Sequence, residues 1–452
     1  MAITDKILMN NIVKKSNNFY SMLEKQNISH KDIEHPFDSD IVESIRLLSD
    51  KMTELDDEFR IFYYASEVKT LWKKLVEKSI KCLRNFDENE PFLDNSLKKP
   101  LAYGIDDLEK YFLKYIEFES MLYGSGKYYR DHVVHVFRVW LLGMHSMFSS
   151  NFDFLKKSQI DKKFDVNTLE KLSIWTLISL SHDLGYPLEK AQGIIDKTKD
   201  MMQLFVVNPA VNMDLSFNGV QTNMNDFVLR FMSSKMIEIK NSRTKKEDIK
   251  YVARLQPKYY FKFQKSLERH AHGVISALII YKLLIYFLES DFNTNEDYKF
   301  SRKEARQFHI RREILRSISS HTCPDIYHMN LYSFSFLLIM CDDCQGWGRK
   351  QISNLYLQSS SKYELNNLTL KQDNVSKENI CKVEEEFDIK EKFDENNLTL
   401  KNAIGNILME MNKKFYEYKI ILRDGPDTSN RDFDFIKQSI IKCGSVQNFS
   451  HI

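Results

Sequence analysis

Leu169-Glu170-Lys171-Leu172-Ser173-Ile174-Trp175-Thr176-Leu177-Ile178-Ser179-Leu180 runs without a break into Ser181-His182-Asp183-Leu184-Gly185-Tyr186-Pro187. The first part is apolar around nearly its whole circumference, which marks a helix buried on all sides rather than one lying on a surface. It ends on an imidazole and a carboxylate, and Gly185 and Pro187 then break the pattern. Two side chains suited to a metal ion therefore stand at the mouth of a buried element. Upstream, Asn167 can cap this helix, with Glu170 at the third position completing a capping box.

The composition around this stretch narrows the possibilities. At 452 residues the chain can hold one large domain or two to three ordinary ones, each burying its own core. With 13 Gly and 8 Pro, the expectation is a mainly α fold rather than a turn-rich sandwich or barrel. A net charge of +2 offers no broad basic footprint, so no duplex nucleic acid is expected as a partner. The cysteines Cys82, Cys323, Cys341, Cys344, Cys381 and Cys443 are scattered, and no basic-then-apolar leader opens the chain, which points to a reducing cytoplasm. Cys341 and Cys344 form a lone C-x-x-C, read as buried small side chains and not as a zinc ribbon. The most apolar run, Val274 to Leu288, contains Lys282 and falls short of the ~20 apolar residues of a membrane span, so it reads as a core helix.

A His-Asp pair alone carries little weight, since about one is expected by chance in a chain with 12 histidines. Its neighbours on other helices add the weight. His132 and His135 share one helical face with Val139 and Leu142, because residues three and four apart are neighbours. His270 and His272, two apart, point to opposite sides of a helix, so at most one of them reaches a common site. Ser301 and Glu304 form a second capping box, opening a helix that places His321 on the stripe of Ile310, Ile314 and Ile318. Asp342, Gln345 and Arg349 follow Leu338 on one face of a last helix; a buried Asp is rare unless paired or bound to metal.

The order His, His-Asp, His, His, Asp on successive helices resembles the HD superfamily of metal-dependent phosphohydrolases, in its two-metal branch, over about residues 103–349. The resemblance implies an HD-type helical bundle with His135, His182, Asp183, His272, His321 and Asp342 as metal ligands. His135 with Val139 fits the family's first histidine, and so does His132 with Val136; His135 is taken as the ligand, leaving His132 for a substrate phosphate or a proton. His272, in a His-Gly-x-x-Ser-Ala setting, resembles the third histidine more closely than His270 does. The Asp-Asp-x-Gln-x-Trp-Gly-Arg run at 342–349 resembles the ending of some uncharacterised HD proteins. The chain departs from the frequent His-Asp-x-Gly-Lys form, with Tyr186 in place of the lysine, and Lys190 one turn later is the candidate replacement.

Such a ligand set implies two divalent cations (Mn, Fe, Ni, Co, Zn or Mg) that acidify a water from a pKa of about 16 toward ~7 and hold a phosphate oxygen. The expected activity is hydrolysis of a nucleotide or related phosphate ester. Arg349, Arg138 or Lys190 would stabilise charge on the phosphoryl group, His132 would protonate the leaving oxygen, and Gln345 would orient a base or sugar. The same ligand order also serves mixed-valent di-iron oxygenases, and a non-catalytic nucleotide sensor or assembly module is a third reading.

Outside the motifs, residues 1–100 read as a helical N-terminal region without evident chemistry, His30 and His35 lying in a polar, solvated loop, and residues 101–350 as the domain that carries the site. The long segment between Asp183 and His270 reads either as helices plus a lid that sets substrate choice or as a plain solvated excursion. Residues 351–452 read as a small α+β accessory region, with strands at 363–372, 379–387 and 418–422 and a helix at 402–418, serving regulation or a homo-oligomer.

Overall fold

The computed structural model describes residues 3–28, 33–52, 64–87, 108–115, 117–118, 132–149, 154–158, 160, 164–204, 220–240, 249–288, 298–326, 332–345 and 347, together with the strands of residues 362–447 given below. The fold is mainly α, and the chain forms two compact units. The first comprises Met1–Lys78, Gly126–Ser179 and Tyr327–Ile452, and the second Ser79–Ser125 and Leu180–Ile326.

In the first unit, helix α1 (Asp5–Lys25) starts at Thr4, whose hydroxyl accepts from the Ile7 amide, and α2 (Ser39–Lys51) starts at Asp38, which accepts from Ile41 at 3.0 Å. Leu8, Ile12, Phe19 and Leu23 of α1 and Ile41, Ile45 and Leu48 of α2 are buried at helical spacing. Helix α3 (Ala65–Asp87) begins in this unit, and α4 (His132–Met147) packs against α1. Phe19, Phe37 and Phe148 meet at ring centroid distances of 4.8–5.3 Å. His35 belongs to this core. It is buried, and its Nδ1 accepts from the Phe37 amide at 3.2 Å, so the solvated setting expected of it is a packed one, while His30 lies outside the described residues.

Helix α5 (Thr168–Ser181) is buried all round. Three of its hydroxyls are tolerated in that setting because they bond back to their own helix: Ser173 to the Leu169 carbonyl, Thr176 to Leu172 and Ser179 to Trp175, at 2.8–2.9 Å. The Asn167–Glu170 capping box is present, with both reciprocal bonds at 2.9–3.0 Å.

The second unit contains α6 (Tyr186–Gln203), α7 (Val220–Ser233), the antiparallel hairpin β1 (Ser234–Lys240) and β2 (Ile249–Leu255), α8 (Pro257–Glu268), α9 (His272–Leu288) and α10 (Arg302–Ser320). The hairpin lies within the stretch expected to be helices and a lid; its β-branched Ile237, Ile239, Ile249 and Val252 favour extended backbone. It is tied to α10 by Arg312, whose Nη1 donates to the Ser234 carbonyl at 3.0 Å, and Phe231 of α7 packs on Phe308 of α10 at 4.4 Å. Ser301 and Glu304 cap α10 reciprocally. Residues 205–219 and 241–248 of the inserted segment lie outside the described residues.

The first unit closes with α11 (Phe334–Cys344), which packs on α4, and with strands β3 (Lys362–Gln372), β4 (Asn379–Ile389), β5 (Tyr416–Asp424), β6 (Phe435–Lys442) and β7 (Ser445–Gln447) in that spatial order. The β4–β5 pair is parallel and the others are antiparallel. Of the helix expected at 402–418, residues 402–415 lie outside the described residues, while 416–418 belong to β5. Cys82, Cys323, Cys341 and Cys344 are buried and form no disulfide among the described residues. Among the described residues no helix is long and apolar enough to cross a membrane.

Candidate metal centre

Each unit brings imidazole and carboxylate groups together. In the first, α4 presents His132 and His135 from an almost wholly buried surface, one turn apart, with ring centroids 6.3 Å apart. His135 Nε2 lies 2.9 Å from Asp342 Oδ1 on α11, and its Nδ1 lies 2.5 Å from Gln345 Oε1. The Gln345 amide nitrogen donates to the Trp347 carbonyl at 2.8 Å, which turns the amide oxygen toward His135. The Nδ1 of His135 therefore carries a proton, and Nε2 faces the carboxylate.

In the second unit, Asp183 is the hub. Its Oδ1 lies 3.4 Å from His182 Nε2, 3.2 Å from His272 Nε2 and 3.7 Å from His321 Nε2. One ligand atom from each of His182, Asp183 and His321 lies within 4.8 Å of the others, and His272 Nε2 is 3.1 Å from His321 Nε2. His272 Nδ1 meets Glu189 Oε2 at 2.7 Å, and His321 Nδ1 meets the Ile318 carbonyl. Three imidazoles in the two units thus follow one rule: Nδ1 is held by an acceptor and Nε2 is turned toward an aspartate. Facing lone pairs and carboxylate oxygens repel unless a cation stands among them, either a proton or a metal ion.

The ionisation pattern agrees. Burial alone would raise the Asp183 carboxyl, yet the neighbouring His182 and the hydrogen bonds from His272 and His321 hold it well below the ordinary carboxylate range. Burial works against a charged His272, but Asp183 and Glu189 outweigh it and lift the imidazole to about 9. Glu189, which burial would also raise, is held at about 2 by His272. Nitrogen and oxygen donors in this mixture suit borderline divalent metals. The donor set fits a metal ion.

Two glycines allow the second cluster to form. A Cβ at Gly185 would lie 2.4 Å from the His272 carbonyl, and one at Gly273 would lie 2.7 Å from the Ile318 carbonyl. The turn after Asp183 and the end of α10 can both press on the start of α9 only because those side chains are missing. The Gly185 amide then donates to Ser276 at 2.7 Å, and the Tyr111 hydroxyl donates to the Leu184 carbonyl at 2.5 Å.

The other candidates fall as follows. His270 takes left-handed backbone (φ 55) in the link between α8 and α9, and His272 is the one beside Asp183. Lys190 Nζ sits 4.4 Å above the Tyr186 ring, whose centroid is 5.6 Å from that of His272, so the lysine borders the second cluster. Arg138 has a different role from the phosphate contact expected of it. It is buried in the first unit against Asp5 at 2.7–3.0 Å, and it donates to the Trp347 carbonyl at 3.2 Å. Arg349 lies outside the described residues. Gln345, expected to orient a base or sugar, is buried and holds His135 instead. Glu189 escaped the sequence reading because a glutamate in a polar helix looks like any solvated residue, and Asp5 because it lies far along the chain from its partners. Comparison of the chain with family models, curated proteins and solved structures found no match.

Proposed function

We propose that this protein is a metal-dependent phosphohydrolase or phosphodiesterase acting on a nucleotide or related phosphate ester, with His135, His182, Asp183, His272, His321 and Asp342 as its metal ligands. The observation that carries the reading is the shared orientation of His135, His272 and His321, each with Nδ1 occupied and Nε2 turned to an aspartate oxygen. Their order along the chain, which resembles the two-metal HD branch, supports the substrate class. Bound divalent cations supply Lewis acidity and a water ionised near neutral pH.

The chain's own groups would do the rest. Asp183, held well below the ordinary carboxylate range by its imidazole neighbours, stays anionic and holds the three second-unit imidazoles in one arrangement. Lys190, half-exposed beside the second cluster, would meet an incoming phosphate, taking the part that a lysine at position 186 plays in related motifs. His132, buried one turn from His135, would hold a proton for the leaving oxygen.

The test is metal analysis of protein purified without chelator, joined to phosphate release from cyclic, linear and triphosphate nucleotides. Bound metal and metal-dependent release, both lost in Asp183→Asn, are expected. Nucleotide binding without turnover would assign the chain to a sensor or assembly module instead, and iron-dependent oxygen uptake would assign it to the di-iron oxygenases. Protein that neither retains nor takes up metal overturns the reading altogether.

A further inference from the structure

The three oriented imidazoles are not backed alike. His135 is held by the neutral amide of Gln345, and His321 by a backbone carbonyl. His272 is held at Nδ1 by a carboxylate, and that carboxylate holds it twice: Glu189 Oε2 accepts from its ring Nδ1 at 2.7 Å and from its backbone amide at 3.0 Å. A single oxygen bonded to both groups locks the ring against its own backbone. The neighbouring residues of the same helical turn add to this, since the Tyr186 ring meets the imidazole nearly edge-on and Lys190 lies over the Tyr186 face. One turn of α6 is thus devoted to His272.

A carboxylate behind an imidazole does two things that an amide or a carbonyl does less well. It makes Nε2 a stronger donor, and it leaves the ligand group with one more negative charge to offset a dication. We infer that Glu189 is a positioning residue that makes the His182, Asp183, His272 and His321 group of the second unit a high-affinity cation site. This rests on the metal-binding reading above and adds to it which group fills first and which side chain outside the ligand set decides that. Glu189 is suited to the part by position: its side chain is one-third exposed, with its other oxygen 4.0 Å from Lys190 Nζ, while the imidazole it holds is largely covered.

The experiment uses the full chain and Co2+ alone, followed by its visible absorption band and by competition with a chelating dye. Glu189→Gln keeps an acceptor oxygen of the same reach and removes only the charge. The expected result is a 10–100-fold loss of Co2+ affinity at the tightest site, the range for groups that hold metal-binding histidines, with weaker binding changed less than twofold. Glu189→Asp, which keeps the charge but withdraws the oxygen, should fall between the two and serves if the glutamine variant does not fold. Wild-type protein that binds Co2+ tightly, with Glu189→Gln matching it within twofold, overturns this inference and leaves the metal-binding reading intact. Wild-type protein that binds no Co2+ overturns both.

Discussion

Breaking the Asp5–Arg138 pair tests most directly the correction the structure makes to the sequence reading. Asp5 is 4% exposed and Arg138 2%, and the carboxylate takes Arg138 Nε and Nη2 at 2.7–3.0 Å together with the Trp347 indole N–H at 3.0 Å. Asp5→Ala strands a guanidinium and an indole donor in a dry interior. The cost of removing one partner of such a pair is about 3–5 kcal/mol, most of it the desolvation of the charge left behind. Replacing both with apolar groups, Asp5→Leu with Arg138→Met, removes the stranded charge along with the pair, so the double variant should return to within about 1.5 kcal/mol of wild type. The double-mutant cycle, closed with the single variants Asp5→Leu and Arg138→Met, would then show a coupling of about 2 kcal/mol or more. Urea unfolding followed by tryptophan fluorescence suits the measurement, because Trp72, Trp140, Trp175 and Trp347 all lie in the first unit. If Asp5→Ala costs less than about 1 kcal/mol, or if the single losses simply add, the pair is not the buried clamp described here. If the double variant is as stable as expected yet loses only substrate affinity, Arg138 meets phosphate after all.

His145 supplies a pH test remote from the metal ligands. Burial first, and the nearby Lys15 second, push its imidazole down to about 4, so the folded protein keeps it neutral while the unfolded chain protonates near its ordinary value of about 6.5. The unfolded state therefore binds more protons below that point, and stability falls as pH drops from ~6.5 toward ~4, by up to about 3 kcal/mol, and is unaffected above ~6.5. His145→Leu should flatten that part of the profile in urea titrations at pH 7.5 and pH 5 relative to wild type; parallel profiles would refute the assignment. Gly185→Ala would set a methyl 2.4 Å from the His272 carbonyl and force the start of α9 away from Asp183. A stability loss of about 1–3 kcal/mol is expected, with weakened Co2+ binding; an alanine variant that binds Co2+ like wild type would show that the close approach is not needed.

Much of the local structure was legible in the sequence because local rules govern it. The caps at Asn167 and Ser301, the all-round burial of α5, and the strands of 362–372 and 379–389 follow from residue types a few positions apart. The β1–β2 hairpin was missed because β-branched residues at 237, 239, 249 and 252 sit in a polar, lysine-rich stretch whose period is weak. Arg138 was misread because an arginine on an apolar helix carries no mark of whether it faces substrate or a distant carboxylate.

The sequence by itself determined which side chains are able to hold a metal, because ligand chemistry belongs to the residue and helical period decides which residues share a face. It settled the mainly α class for the same local reason. Only the tertiary structure decided which nitrogen of each histidine is turned toward an aspartate, that His272 and not His270 stands beside Asp183, and that Gln345 and Glu189 hold the rings of His135 and His272. Those facts depend on hydrogen bonds between residues as many as 210 positions apart, as His135 and Gln345 are, and such partners meet only once the helices have packed.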